Sequence, residues 1–237
     1  ALRRNINEAW KSAYHFLGKN EERPLNDDSF LRTHLTYFYL KNLGKVPDHG
    51  QDDHDRNRRR YEYAVEYFGR FLLNELFTPK RLGVKSSKRD DLPELTRQFL
   101  NEYSQDIKTC VELYFKLSTP NEASYSDNEK LWLERTGRLL GHSPHAILLA
   151  IYKNEKRAEK RVALLECFER YSFLASLGPR SPIGAGRRFW APEFLVKYVS
   201  GRMPIEDLIT QLTNLTAELL KETPLSEKIS DWVKGNY

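Results

Sequence analysis

Residues 156–177 read KRAEKRVALLECFERYSFLASL and contain the clearest helical pattern in this sequence. Apolar side chains recur there at intervals of three and four residues, which is the spacing of one face of an α-helix. Gly178 and Pro179 follow directly and favour a helix end. The stretch therefore predicts a long amphipathic helix that ends near residue 177.

The same spacing recurs on both sides of this stretch. It predicts helices close to residues 6–17, 28–40, 61–76, 95–117 and 126–140, and further helices after Pro144, Pro192, Pro204 and Pro224. No segment of useful length alternates as a strand would. We therefore expect an all-α bundle of about ten helices without a regular sheet. It divides into residues 1–120 and 121–237, or forms one continuous domain.

Helix starts and a core are also expected from single residues. Asp27 or Asp28 is suited to cap the second helix, and Ser126 with Glu129 resembles a capping box. Aromatic spacing places several large side chains on the inner faces of the first three helices, with a structural role for the histidine among them. These predicted core residues are Trp10, Phe30, His34, Phe38, Phe68 and Phe71.

Composition excludes several classes of protein. The 12 Phe, 13 Tyr and four Trp residues are too many for a disordered chain. No apolar run is long enough to cross a bilayer, and the N-terminus lacks the apolar stretch of a signal peptide. Cys110 and Cys167 both fall in helical patterns and fit free, buried thiols. We expect a protein of the cytoplasm.

Basic residues exceed acidic ones by 38 to 33, an excess that permits contact with nucleic acid without requiring it. They cluster before the third helix, in a segment at 79–89 and around 180–188. The middle cluster also contains Gly83 and two serines, which suit an exposed loop that follows a phosphate backbone. The alternative is a solvated charge cluster. The predicted DNA-binding residues are Lys80, Arg81, Lys85, Lys88 and Arg89.

No group of residues predicts catalysis, a metal or a cofactor. The polar segment with His49, Asp52, Asp53, His54 and Asp55 lacks any recognised ligand spacing. Neither cysteine has a histidine near it in the sequence, as a nucleophilic thiolate would need. His142 and His145 flank a helix start, where His142 suits local hydrogen bonds. Gly184 and Gly186 lack the rest of a phosphate-binding motif.

Four segments resemble the helical region of GmrSD-type proteins, which are modification-dependent restriction systems with a ParB-like nuclease domain. In order, they are INEAW at 6–10, DSFLRTH at 28–34, FLLNELFTPKRLG at 71–83 and ERYSFL at 169–174. The resemblance implies anti-phage defence, with nucleotide-dependent cleavage of modified DNA by the complete protein. The D-G-Q-Q-R motif of the ParB-like domain and the H-N-H-type nuclease motif are both absent from this sequence.

The resemblance therefore implies a piece of a longer protein, to which no catalytic residue of the family can be transferred. We expect a helical connector that binds DNA weakly and without sequence preference, and that couples flanking nuclease domains. It is not expected to contact membranes or to act as an enzyme alone, and its oligomeric state stays open. The rival hypothesis is a self-contained helical protein-interaction module without nucleic-acid binding.

Overall fold

A computed structural model describes residues 2–19, 25–42, 64, 66–82, 92, 94–140, 145–176, 197–222 and 230. Every regular element in these ranges is helical, and the one departure is an isolated parallel bridge between Leu82 and Leu95. The prediction of an all-α fold without a regular sheet is thus confirmed for this part of the chain. None of its helices combines the length and the apolar character that crossing a bilayer requires.

The chain forms two compact units, Ala1–Lys116 and Leu117–Tyr237, where the sequence suggested a division at 120/121. The first unit contains α1 (Leu2–Gly18), α2 (Asp27–Asn42), the short α3 (Phe68–Arg70), a π-helical turn (Phe71–Leu76), a 3-10 turn (Pro79–Arg81) and most of α4 (Arg97–Ser118). Rings of α1 and α2 pack on α4, as in the pairs Phe16 with Phe115 and Phe30 with Tyr114.

The second unit contains a short 3-10 turn at Pro120–Glu122 near its start. Its helices are α5 (Asp127–Leu140), α6 (His145–Asn154), α7 (Ala158–Ser176) and α8 (Ile205–Glu222). The stretch with the clearest helical pattern is α7, and it packs against both α5 and α8. Six consecutive side chains of α6, from Ile147 to Tyr152, are buried, so this helix runs through the interior of the unit.

Side-chain caps fix the starts of α2 and α5. The amide of Glu129 donates to the Ser126 hydroxyl at 3.3 Å, which confirms the cap predicted for α5. In α2 the prediction was off by one residue, because the amide of Ser29 donates to the side-chain oxygen of Asn26 at 2.8 Å. Asp27 and Asp28 lie in the first turn instead, where their charges favour the positive end of the helix.

The third predicted helix is wound irregularly at its end. The amide of Phe77 donates to the carbonyl of Leu72 at 2.8 Å, five residues back, which defines a π-helical turn. Phe71 and Leu76 are both buried in it, although an α-helix would place residues five apart about 140° from each other. The wider turn brings both side chains to the same face and so into the same core.

The expected aromatic core is confirmed for Phe30, His34, Phe38 and Phe71, all of which are buried, and Phe68 is half-buried. The prediction for Trp10 is wrong, because 54% of this residue is exposed. α1 faces the core through Ala9, Ala13 and Leu17, which points Trp10 outward. The apolar residues of α1 cover slightly more than one face of the helix. Its alanines face the core, where their small side chains allow α1 to pack closely.

Candidate functional site

The predicted DNA-binding segment begins on the 3-10 turn at Pro79–Arg81. Thr78 is extended, and Pro79 supplies the fixed φ suited to the first position of a helical turn. Lys80 is exposed, while Arg81 is half-buried and its guanidinium donates to the carbonyl of Glu75 at 3.1 Å. The turn therefore presents Lys80 to solvent and uses Arg81 partly to hold its own position.

Only two of the five predicted residues lie in the described part of the chain. Lys85, Lys88 and Arg89 fall outside it, so their exposure and grouping stay predictions. Leu82 and Leu95 form a parallel bridge, and Lys85, Lys88 and Arg89 lie between these two residues in the sequence.

A second group of functional side chains lies inside the first unit, where α2 and α4 meet. The Nε2 atom of His34 lies 2.9 Å from Oδ2 of Asp106, and the Cys110 thiol donates to the same oxygen at 3.6 Å. His34 and Cys110 are fully buried, and the Asp106 side chain is 14% exposed. Asp106 and Cys110 are four residues apart on α4, so both side chains project from one face.

Aromatic rings surround the imidazole of His34. Phe38 stacks on it with centroids 6.0 Å apart, and Tyr103 meets it edge-on at 5.2 Å. Burial, with the charges of Asp106 and Cys110, raises the pKa of Tyr103, so its phenol stays protonated. The Nδ1 atom of His34 has no hydrogen-bond partner among the described residues. A proton on Nε2 alone satisfies the bond to Asp106 without burying a second N–H group.

The atoms of His34, Asp106 and Cys110 that could bind a metal ion all lie within 4.8 Å of one another. Imidazole, carboxylate and thiolate groups are all ligands of Zn²⁺. The set offers three ligands, one fewer than a structural zinc site usually has, and its hydrogen bonds converge on Asp106. The geometry also differs from that of a nucleophilic cysteine, because the carboxylate lies between thiol and imidazole and the thiol is fully buried. As the structure describes them, the three side chains form a buried hydrogen-bond network.

The second unit holds a buried ion pair. Arg161 of α7 makes two parallel bonds to the Glu129 carboxylate of α5, at 2.6 and 3.1 Å, and Glu129 is only 1% exposed. Burial opposes the charge of Arg161, but the hydrogen bond and charge of Glu129 outweigh it and raise the pKa of the guanidinium. Burial and the charge of Glu129 also raise the pKa of Tyr152, whose ring lies 4.9 Å beneath Arg161.

Arg161 also binds the link between α6 and α7. Its Nη1 atom donates to the carbonyls of Glu155 and Lys156 at 3.1 and 3.0 Å, and both residues lie between the end of α6 at Asn154 and the start of α7 at Ala158. These carbonyls directly follow a helix C-terminus, where a cation is favourable. A single guanidinium thereby joins α5 and this link to α7.

The remaining candidates from the sequence have mixed outcomes. His145 is buried, with its Nε2 atom 3.3 Å from the hydroxyl of Ser118, which is 27 positions away in the sequence. Cys110 is buried and Cys167 is half-buried, and both are free thiols. The polar segment at 48–55, His142 and Gly184–Gly186 lie outside the described residues, so the expected absence of a metal site there stays a prediction.

Sequence reasoning missed the proximity of His34 to Asp106 and Cys110. The histidine is 72 positions from Asp106 along the chain, so no local spacing links them. The available signal was a polar residue, Asp106, one helical turn before a cysteine on an apolar face. This pattern indicates a buried carboxylate, which requires hydrogen-bond donors from other parts of the chain.

Comparisons with family models, with curated proteins and with solved structures found no match for this chain. The likeness to GmrSD-type proteins therefore stays a hypothesis that depends on the four quoted segments.

Proposed function

We propose that this chain is a helical connector of a bacterial DNA-restriction protein. It positions DNA and couples nuclease domains that lie outside the chain, and it acts in the cytoplasm without cutting DNA itself. Its contact with DNA is weak and independent of sequence, because it is directed at phosphates through lysine and arginine side chains.

The observation that carries this proposal is the exposed basic turn beside the bridge between Leu82 and Leu95. Lys80 is exposed immediately before this bridge. Lys85, Lys88 and Arg89 lie between the two bridged residues in the sequence, so we expect them to contribute to the same contact. Several cations in one contact raise the number of phosphates that can be neutralised at once.

The four segments behind the family resemblance also support a connector. The first two lie on α1 and α2, the third contains the π-helical turn and the exposed basic turn, and the fourth lies on α7. They are thus distributed over both compact units and include the proposed DNA contact.

The test is DNA binding by the complete chain and by a variant of the basic segment. Fluorescence anisotropy with a labelled duplex at increasing salt gives the affinity and its salt dependence. Alanine at the five predicted positions should weaken binding roughly tenfold at low salt and flatten the salt slope by up to about 0.9 per lost phosphate contact. The substituted residues are Lys80, Arg81, Lys85, Lys88 and Arg89.

A control with the same change in net charge separates a local contact from general attraction. Five exposed basic residues of the second unit are replaced by alanine, so both variants lose five positive charges. The control residues are Arg138, Lys156, Arg170, Arg202 and Lys221. Equal weakening by the two variants would contradict a specific role for the segment at 79–89. Metal-dependent nicking of plasmid by the purified chain would contradict its non-catalytic role.

The rival function, a protein-interaction module, is favoured by one observation. Tyr67, Leu73 and Leu82 are large apolar residues that stay exposed near the basic turn. A protein partner would cover such residues. This alternative predicts no measurable DNA affinity even at low salt, so the same titration decides between the two functions.

A further inference from the structure

The outward face of α1 carries two exposed aromatic rings. Trp10 is 54% exposed and Tyr14 is 75% exposed, and their ring centroids lie 6.0 Å apart with planes inclined by 31°. They are four residues apart, which places them side by side on the helix surface. Large aromatic side chains are usually buried, so an adjacent exposed pair indicates a binding surface.

Positive charge surrounds these rings. Arg3, Arg4 and Lys11 are all exposed on the same helix. Glu8 is the one carboxylate within α1, and it is bound by Arg4 at 3.4 Å and by Lys108 of α4 at 3.6 Å. The face thus combines cations with flat π-surfaces, and its single acidic group is already neutralised by two cations.

The spacing forms a continuous stripe. Arg3, Asn7, Trp10 and Tyr14 follow one another at intervals of four, three and four residues, and all four are exposed. At 1.5 Å per residue the stripe is about 16 Å long, with a cation at one end, an amide in the middle and two rings at the other. Backbone phosphates and neighbouring bases can be engaged together along such a stripe.

The chemistry of the face excludes two other occupants. Ala9, Ala13 and Leu17 already pack inside the first unit, so the outward face keeps no aliphatic stripe with which to enter a lipid surface. A second copy of the same face would bring like charges together. A polyanion that offers flat, unpaired rings complements both the charges and the aromatic side chains.

We propose that the outward face of α1 binds single-stranded nucleic acid, with bases stacking on Trp10 and Tyr14 and phosphates contacting Arg3, Arg4 and Lys11. This rests on the proposed DNA-binding function and adds a preference to it. Bases in a duplex are stacked on each other and hide their faces, whereas an unpaired strand exposes them. The face therefore selects strands that are already separated.

The experiment measures anisotropy of labelled oligo(dT) and oligo(U) with the complete chain. The double variant Trp10→Ala/Tyr14→Ala should bind the oligonucleotide that the parent chain prefers about 30-fold or more weakly. Each base that stacks on an aromatic ring adds to the binding free energy, and the variant loses two such rings. Trp10→Phe/Tyr14→Phe keeps two flat rings and should stay within a few-fold of the parent. Leu220→Ala, at a leucine of the second unit that is 41% exposed, controls for loss of exposed apolar surface and should leave affinity unchanged. Circular dichroism verifies that all variants keep their helix content.

Each outcome is decisive. Wild-type affinity in the alanine pair, with duplex binding still dependent on residues 79–89, overturns this inference and leaves the proposed function standing. Failure of the parent chain to bind any nucleic acid overturns both. Binding to vesicles with 30% phosphatidylserine that requires Trp10 and Tyr14, without oligonucleotide binding, assigns the face to membranes and also overturns the inference. Comparison of oligo(dT) with oligo(U) shows which strand is preferred.

Discussion

The two compact units both bury polar side chains, but they do so in different ways. In the first unit one carboxylate oxygen of Asp106 accepts from the ring of His34 and the thiol of Cys110. In the second unit two full charges, Glu129 and Arg161, meet in a bidentate pair. Arginine stays charged in any protein environment, so the second network cannot become neutral when a partner is lost. The first network contains no such permanent charge.

Arg161→Leu should cause the largest loss of stability. It leaves the carboxylate of Glu129 buried without its cation, and removal of one partner from such a pair costs about 3–5 kcal/mol. The free energy of unfolding in urea measures the effect. Arg170→Ala, which removes an exposed arginine from the same helix, is the control and should change little.

A double variant sharpens this prediction. Glu129→Met/Arg161→Leu fills the same space with apolar groups, and replacement of a whole buried pair is often nearly neutral. It should recover most of the stability lost by Arg161→Leu alone. If the free energy of unfolding of Arg161→Leu falls by less than about 1 kcal/mol, the buried pair does not stabilise the second unit as we infer.

Asp106→Ala should have the next largest effect. The N–H of His34 and the thiol of Cys110 both lose their acceptor in a buried place, which costs about 1–3 kcal/mol for an unsatisfied polar group. Glu102→Ala on the exposed side of α4 is the matched control. Urea unfolding compares the two variants. Stoichiometric zinc in the parent chain, lost in Asp106→Ala, would assign the cluster to metal binding instead.

Glu155→Gln should have the smallest effect, a modest loss of stability at neutral pH that disappears in acid. A side-chain hydrogen bond from Arg157 lowers the pKa of Glu155 to about 2. A lowered pKa stabilises the fold above the ordinary value, 4.5, and this contribution is lost as the pH falls from 4.5 towards 2. The melting temperature of the parent should therefore fall more steeply over this interval than that of Glu155→Gln. Coincident curves would contradict the prediction, and Glu159→Gln serves as the control.

Features with local causes could be predicted from the sequence. The pattern at 156–177 appears as α7, and the residues after Pro204 form α8 as expected. Ser126 caps α5 because a hydroxyl before a helix can reach an amide only three residues away. The same short range explains why Asn26, rather than an aspartate next to it, could cap α2.

Features with distant causes could not be predicted. Whether Trp10 or Ala9 faces inward depends on the distance between α1 and α4. The spacing of apolar residues within α1 does not determine that distance. The contacts of His34 with Asp106 and of Glu129 with Arg161 join positions 72 and 32 residues apart. A single sequence shows that such polar residues need partners, but it does not show which partners they find.

The π-helical turn at Phe71–Leu76 makes this segment tolerant of a change in length. If one residue between them were deleted, Phe71 and the leucine now numbered 76 would be separated by four positions, and an ordinary α-helix would bring both to one face. The buried pair would survive, and the exposed basic turn that follows would stay close to its present position, because the wider turn rises less per residue and its extra residue adds little length. The first unit could thus lose a residue here during evolution and keep both its interior and the placement of Lys80.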